Sequence, residues 1–187
     1  GNGNTAITGT TTYVVEDGSN NAVNAGAGST VTVVGSGNTA ISGTTSYVID
    51  GGSSNAVSAG AGSTVVMNGT GDAAEVGTTA TYIIGGSGNE AILDAGAMVY
   101  FSTLGGSTLA GTTGEFLNDT INEFSAGNAI DVTDLIPGGS TFGMSYVGTT
   151  SEEKLSLTDG SHSTQFSFVG SYAMDHFQAA SDGHGGT

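Results

Sequence analysis

The chain has 187 residues and no cysteine, and its lysine and arginine content is one residue, Lys154. Without cysteine there is no disulfide framework and no thiolate site, so stability has to come from packing and backbone hydrogen bonds. One base against 17 acids leaves a formal charge of -16. That balance argues against nucleic acid or an anionic membrane surface as partner and makes cations the natural small ligands. The acids are scattered, with no run longer than Glu152-Glu153, which is the pattern of a solvated surface. No apolar run approaches the roughly 18 residues of a membrane span, and no signal peptide is seen. The first residue is Gly1 and not methionine, as in a processed chain or a fragment. The apolar content, 36%, supports a lean core for one domain or two small ones.

Glycine is abundant, and it is periodic. Written in rows of 17, the chain aligns Gly1, Gly18, Gly35, Gly52, Gly69 and Gly86 in one column. Asn4, Asn21, Asn38, Asn55, Asp72 and Asn89 form a second, and Gly9, Gly26, Gly43, Gly60 and Gly77 a third. Two apolar columns complete the row: Ala6, Val23, Ala40, Val57, Ala74 and Ala91, then Val14, Val31, Val48, Val65, Tyr82 and Val99. A row of 17 has room for two short strands and two tight turns but not for a helix pair, and its valine and threonine content favours strands. The expected fold is all-β: a parallel β-solenoid, β-roll-like, with six coils over residues 1–102 and a C-terminal β-sandwich or hairpin cap over 103–187. Strand spacing sets about 4.8 Å of rise per coil, roughly 29 Å for six coils.

Stacked turns bring identical side chains about 4.8 Å apart, so Asn4, Asn21, Asn38, Asn55, Asp72 and Asn89 are expected to form a ladder of amides bonded along the axis. The corner glycines are expected to supply positive φ. With the Val14 column inward, Tyr13, Val15, Tyr47, Ile49, Val66, Ile83, Met98 and Tyr100 point outward. This sheet face is too apolar to leave wet, so the C-terminal region or another molecule is expected to cover it. Tyr13, Tyr47, Ile49, Ile83 and Tyr100 are the candidate interaction surface. A second period of 34 is superimposed: Gly-Thr-Thr recurs at 9–11, 43–45, 77–79 and 111–113, as though a two-coil unit had been duplicated.

Beyond about Ser102 the register fades and charge rises. "NDTINEFSAGNAIDVTDL", 118–135, alternates like a strand, turns at Ala126-Gly127-Asn128 and resumes as a second strand. "KLSLTDGSHSTQFSFVG", 154–170, reads as a hairpin with Leu155, Leu157, Phe166 and Phe168 on one face and Asp159-Gly160 at the turn. Here "DTINEFSAGNAIDVTDL" resembles the segment that closes the calcium-binding β-roll of RTX proteins, including serralysin-type proteases. "FQAASDGHGGT", 177–187, resembles an ending common in repeat proteins exported by the type I route. The resemblance implies an extracellular or cell-surface protein of a Gram-negative bacterium. It also makes Asp119, Asp131 and Asp134 candidate calcium ligands. The repeats depart from the family's G-G-x-G-x-D-x-U-x pattern: "GGSGNEAIL", 85–93, has Glu90 in the aspartate slot, and "VGSGNTAIS", 34–42, has Thr39. The asparagine ladder is therefore expected to replace calcium in most coils, with calcium persisting at the cap.

Catalytic constellations are thin. His162, His176 and His184 are widely spaced, without an H-E-x-x-H or a cysteine partner, and read as turn or surface histidines. Ser161-His162 has no nucleophile-elbow context, and the GxG pieces recur too often for a phosphate loop. No enzyme is expected. The reading is a secreted structural protein that self-assembles as a filament, matrix or adhesin subunit. Its rivals are the export module of a larger secreted enzyme and a calcium-dependent adhesin for cell-surface glycans.

Overall fold

The computed structural model describes residues 1–148 and 153–187; of the Glu152-Glu153 pair, Glu152 lies outside the described residues. The chain is all-β, a parallel β-solenoid of about eight turns with about 17 residues per coil. The first six coils comprise β1 (Thr5–Ile7), β2 (Tyr13–Ser19), β3 (Ala22–Ala25), β4 (Thr30–Ser36), β5 (Thr39–Ser42), β6 (Tyr47–Asp50), β7 (Ala56–Ala59), β8 (Thr64–Met67), β9 (Ala73–Val76), β10 (Thr81–Ile84), β11 (Glu90–Leu93) and β12 (Met98–Phe101). There follow β13 (Thr108–Gly111), β14 (Thr120–Asn122), β15 (Ala129–Val132), β16 (Gly143–Gly148), β17 (Glu153–Thr158) and β18 (Ser163–Val169).

Among the described residues the odd strands β1 to β15 stack as an eight-stranded sheet, and the even strands β2 to β14 continue through β18, β17 and β16 as a ten-stranded sheet. Up to β12 each row pairs with the next in the register of the repeat, as Val48 with Val65 and Ala40 with Val57. The period read along the chain is therefore the contact map read across it.

The two sheets face each other across a narrow core. Val31, Val48, Val65, Tyr82 and Val99 line one wall, fully or almost fully buried, and Val23, Ala40, Val57, Ala74 and Ala91 line the other. Small residues opposite valine keep the coil flat, and each buried valine contributes about 1.5–3 kcal/mol relative to exposure. Val14, in the first coil, is only half-buried and packs against this core.

The solenoid runs past the expected limit at Ser102. Glu90 pairs with Thr108, Thr108 with Ala129 and Met98 with Thr120, all in parallel. Insertions in the turns break the 17-residue spacing but leave strand pairing and inward burial intact, as Leu109, Ile121 and Val132 show. The two strands expected in "NDTINEFSAGNAIDVTDL" are present as β14 and β15, and they lie in opposite sheets.

The expected hairpin is present: β17 and β18 pair antiparallel, Leu155 opposite Phe166, with Leu157 and Phe168 also buried. At its turn, Asp159 Oδ1 accepts the N–H groups of Ser161 and His162, both at 2.8 Å. The hairpin joins the ladder edge-on, β18 parallel to β14 with Thr120 opposite Ser167. It thus occupies the edge of β14, while the outer face of the ten-stranded sheet stays open over Tyr13 and Tyr47, 73% and 42% exposed. Packing at this end is aromatic: Phe124 meets Phe101 edge-on at 5.4 Å and stacks on Phe177 at 6.3 Å. The Tyr172 hydroxyl closes the cluster by donating to the Phe124 carbonyl at 3.1 Å.

Candidate functional site

The asparagine column lies in the turn that leads into each strand of the eight-stranded sheet, and it is a ladder of a different kind from the amide stack expected. Each Oδ1 accepts the backbone N–H of the column residue one coil earlier: Asn4 to Asn21, Asn21 to Asn38, Asn38 to Asn55, Asn55 to Asp72 and Asp72 to Asn89, at 2.8–2.9 Å. The Nδ2 groups of Asn21, Asn38, Asn55 and Asn89 donate to a glycine carbonyl of the previous coil, as Asn21 to Gly1 at 2.9 Å and Asn38 to Gly18 at 3.0 Å. Direct amide-to-amide bonding is seen from Asn4 to Asn21, at 3.2 Å. The reason is geometric: strand spacing is close to the reach of one side chain to the neighbouring backbone, and the turn backbone needs partners that the β-ladder does not supply. Past Asn89 the same job passes to Ser107 Oγ and Asn128 Oδ1.

A second ladder, not anticipated from the sequence, lines the opposite turn. Ser29 Oγ accepts from Thr12 N–H at 3.3 Å, and Ser63 Oγ from Ser46 N–H at 3.1 Å. Its sequence signal is the column Thr12, Ser29, Ser46 and Ser63, which gives way to Ala80 and Ala97. There Asp119 takes over, its Oδ1 accepting the Ala97 N–H at 2.8 Å.

In the two corner columns positive φ is found at Gly18 and Gly35, and the other glycines of those columns from Gly26 onward serve close approach. A Cβ on Gly86 would lie 1.6 Å from the Gly69 carbonyl oxygen, and one on Gly43 would lie 2.5 Å from the Ala27 nitrogen. In the turns entered at Gly9, Gly43 and Gly77 the left-handed residue is Thr11, Thr45 or Thr79, at φ 54–56°. In the intervening coils Gly28, Gly62 and Gly96 hold that place. This alternation is the structural content of the 34-residue period.

The three calcium candidates do not come together. Asp119 is fully buried and bonded to the turn, Asp134 accepts from Thr113 N–H and Oγ1 at 2.7 and 2.8 Å, and Asp131 stands on the outside of β15. Among the described residues no group of three acid or histidine side chains could hold a metal ion, so this set does not fit calcium. His162 pairs with Asp159 at 3.3 Å in the hairpin turn.

Comparison with protein-family models, with curated proteins and with solved structures finds no match. The site therefore has to be read from its own geometry.

Two features stand out. First, the outer face of β2 to β12 presents two columns, Tyr13, Thr30, Tyr47, Thr64, Thr81 and Met98 beside Val15, Thr32, Ile49, Val66, Ile83 and Tyr100. Neither column holds a charged residue. The five residues proposed as an interaction surface all lie here. The other sheet carries Glu75, Glu90 and Asp131 on its outer face.

Second, carboxyl groups are buried inside the coil. Glu16 and Asp50 point inward, 5% and 0% exposed, and burial raises the pKa of both. Asp72 is pushed up to about 6 and Asp119 to about 7, again by burial, against the N–H bonds each accepts. An end cavity of about 740 Å³ lies between β15 and the hairpin, lined chiefly by apolar and aromatic side chains including Phe124, Met144, Tyr172 and Phe177.

Proposed function

We propose that this chain is a secreted, non-enzymatic structural protein whose solenoids associate side by side through the outer face of β2 to β12. One observation carries the reading. In a chain of charge -16, the two outward columns that hold Tyr13, Tyr47, Ile49, Ile83 and Tyr100 carry no charged residue over six coils, and the acid beside them is Asp17, the next outward residue of β2. Like-charged molecules repel wherever their acids meet, so close contact is cheapest where acids are missing, and a regular apolar face of this length gains by burial. Solenoid regularity supports the same role, because every coil repeats the contact of the last and an interface can extend by length.

The assembly proposed is lateral. Coil-upon-coil growth at the C-terminal end is disfavoured by the hairpin, since β18 already pairs with the edge of β14. The resemblance of residues 119–135 and 177–187 to RTX proteins supports an extracellular or cell-surface setting in a Gram-negative bacterium, as a filament, matrix or adhesin subunit.

Sedimentation velocity and negative-stain microscopy across a concentration series, with and without calcium, test this. Wild type should form larger species as concentration rises, and Tyr47→Glu combined with Ile83→Glu should remain monomeric with an unchanged β spectrum. Monomers alone for wild type at high concentration, in both conditions, refute the proposal.

A further inference from the structure

Within the asparagine ladder Asp72 is the one acid, and its two oxygens have different surroundings. Oδ1 accepts the Asn55 N–H at 2.8 Å, as every asparagine Oδ1 of the column does for its own predecessor. The other terminal atom of each neighbour is an amide nitrogen that donates to a glycine carbonyl: Asn55 to Gly35 at 3.2 Å and Asn89 to Gly69 at 3.3 Å. The corresponding partner for Asp72 is the Gly52 carbonyl. A Cβ placed on Gly69 would lie 2.1 Å from Asp72 Oδ2 and 2.1 Å from that carbonyl oxygen, just as one on Gly52 would lie 2.5 Å from Asn55 Nδ2 and 1.8 Å from the Gly35 oxygen. Oδ2 thus sits where the ladder requires a donor, faces an acceptor, and has no hydrogen-bond partner, on a residue 1% exposed.

We infer that Asp72 is a proton-operated rung: its carboxylic acid donates through Oδ2 to the Gly52 carbonyl and completes the ladder, and its carboxylate opens the ladder at this coil. A carboxylate is acceptor-only, whereas the protonated form supplies the one O–H the position lacks. The surroundings oppose ionisation from each side. Asp50 of β6 adds negative charge, Tyr82 of β10 contributes a hydroxyl directed at Met67 Sδ, Asn55 and Asn89 are neutral, and Glu16 of β2 lies beyond Asp50, whose charge raises the Glu16 pKa in turn. Burial is the larger reason that Asp72 holds its proton up to about pH 6.

The sign follows from linkage. The folded chain holds this proton more tightly than the unfolded chain, so the rung's contribution is complete below the ordinary aspartate range near 4 and is lost as pH rises through about 6. The test is Asp72→Asn, which installs the missing donor permanently. Urea unfolding should give the variant a folded-to-unfolded ratio about tenfold or more above wild type at pH 7.5 and a ratio within about twofold of it near pH 3.5. The wild-type signal removed by the substitution in a carboxyl-carbon NMR titration should have its midpoint near 6. A variant no more stable than wild type at pH 7.5, an advantage that does not change with pH, or a midpoint near 4 overturns the inference.

Discussion

Glu16 and Asp50 occupy the same inward column of the ten-stranded sheet, separated by Val33, which pairs with both. The column continues as Met67, Ile84 and Phe101, so two carboxyl groups stand where the other coils place hydrocarbon. They are not equivalent. Asp50 Oδ1 accepts from Gly52 N–H at 3.1 Å and from Asn55 Nδ2 at 2.7 Å, which ties it to the ladder, whereas neither oxygen of Glu16 has a partner.

That difference predicts opposite responses to substitution at neutral pH. Glu16→Val repeats the residue found one coil on and removes a buried, unbonded acid, so it should stabilise the fold by about 1–2 kcal/mol. Asp50→Val removes an acceptor from two donors and should destabilise by about 1–3 kcal/mol. Both carboxyl groups have raised folded-state pKa values, so the gain from Glu16→Val should shrink as pH falls toward about 4, where wild type holds its proton. Urea midpoints at two pH values check all three statements.

Asn38 is the fully formed rung against which Asp72 can be judged. Asn38→Ala leaves the Asn21 N–H and the Gly18 carbonyl without their partners in a buried turn and should cost about 2–4 kcal/mol. Asn38→Asp keeps Oδ1 but presents an acceptor to Gly18, so its cost should be large at pH 7.5 and smaller at pH 5. Thermal melts monitored by circular dichroism at both pH values separate the two variants.

Gly86 should tolerate no side chain. A methyl group there meets backbone, the Gly69 oxygen at 1.6 Å, and the coils can make room only by opening the stack. Gly86→Ala is expected to cost about 3 kcal/mol or more. Gly3→Ala at the start of the solenoid also faces positive φ, 66°, but meets no atom within 4 Å, and should cost only about 1 kcal/mol. Comparison of the two unfolding midpoints measures how much of the glycine requirement is close stacking.

The legibility of this chain has a plain physical basis. In a solenoid the residue one period ahead is the neighbour one strand over, so the 17-residue columns disclosed the parallel sheets, the inward Val48 and Val65, the outward Tyr13 and Tyr47, and the place of the asparagines. Period-2 alternation was enough to set Leu155 and Phe166 on one face of a hairpin. The same reasoning stopped where spacing ceased to be constant. It ended the solenoid near Ser102, although Met98 goes on to pair with Thr120 and Thr120 with Ser167.

By itself, then, the sequence determined the coil: its length, its two strands, its core columns and its ladder positions, because those depend on contacts repeated at a fixed interval. Only the tertiary structure decided which atoms the ladder joins, that Asp119, Asp131 and Asp134 face different surroundings, and that the hairpin extends a sheet edge and leaves its face open. Those outcomes depend on strand spacing against side-chain reach and on pairings between distant segments, and no local pattern encodes either.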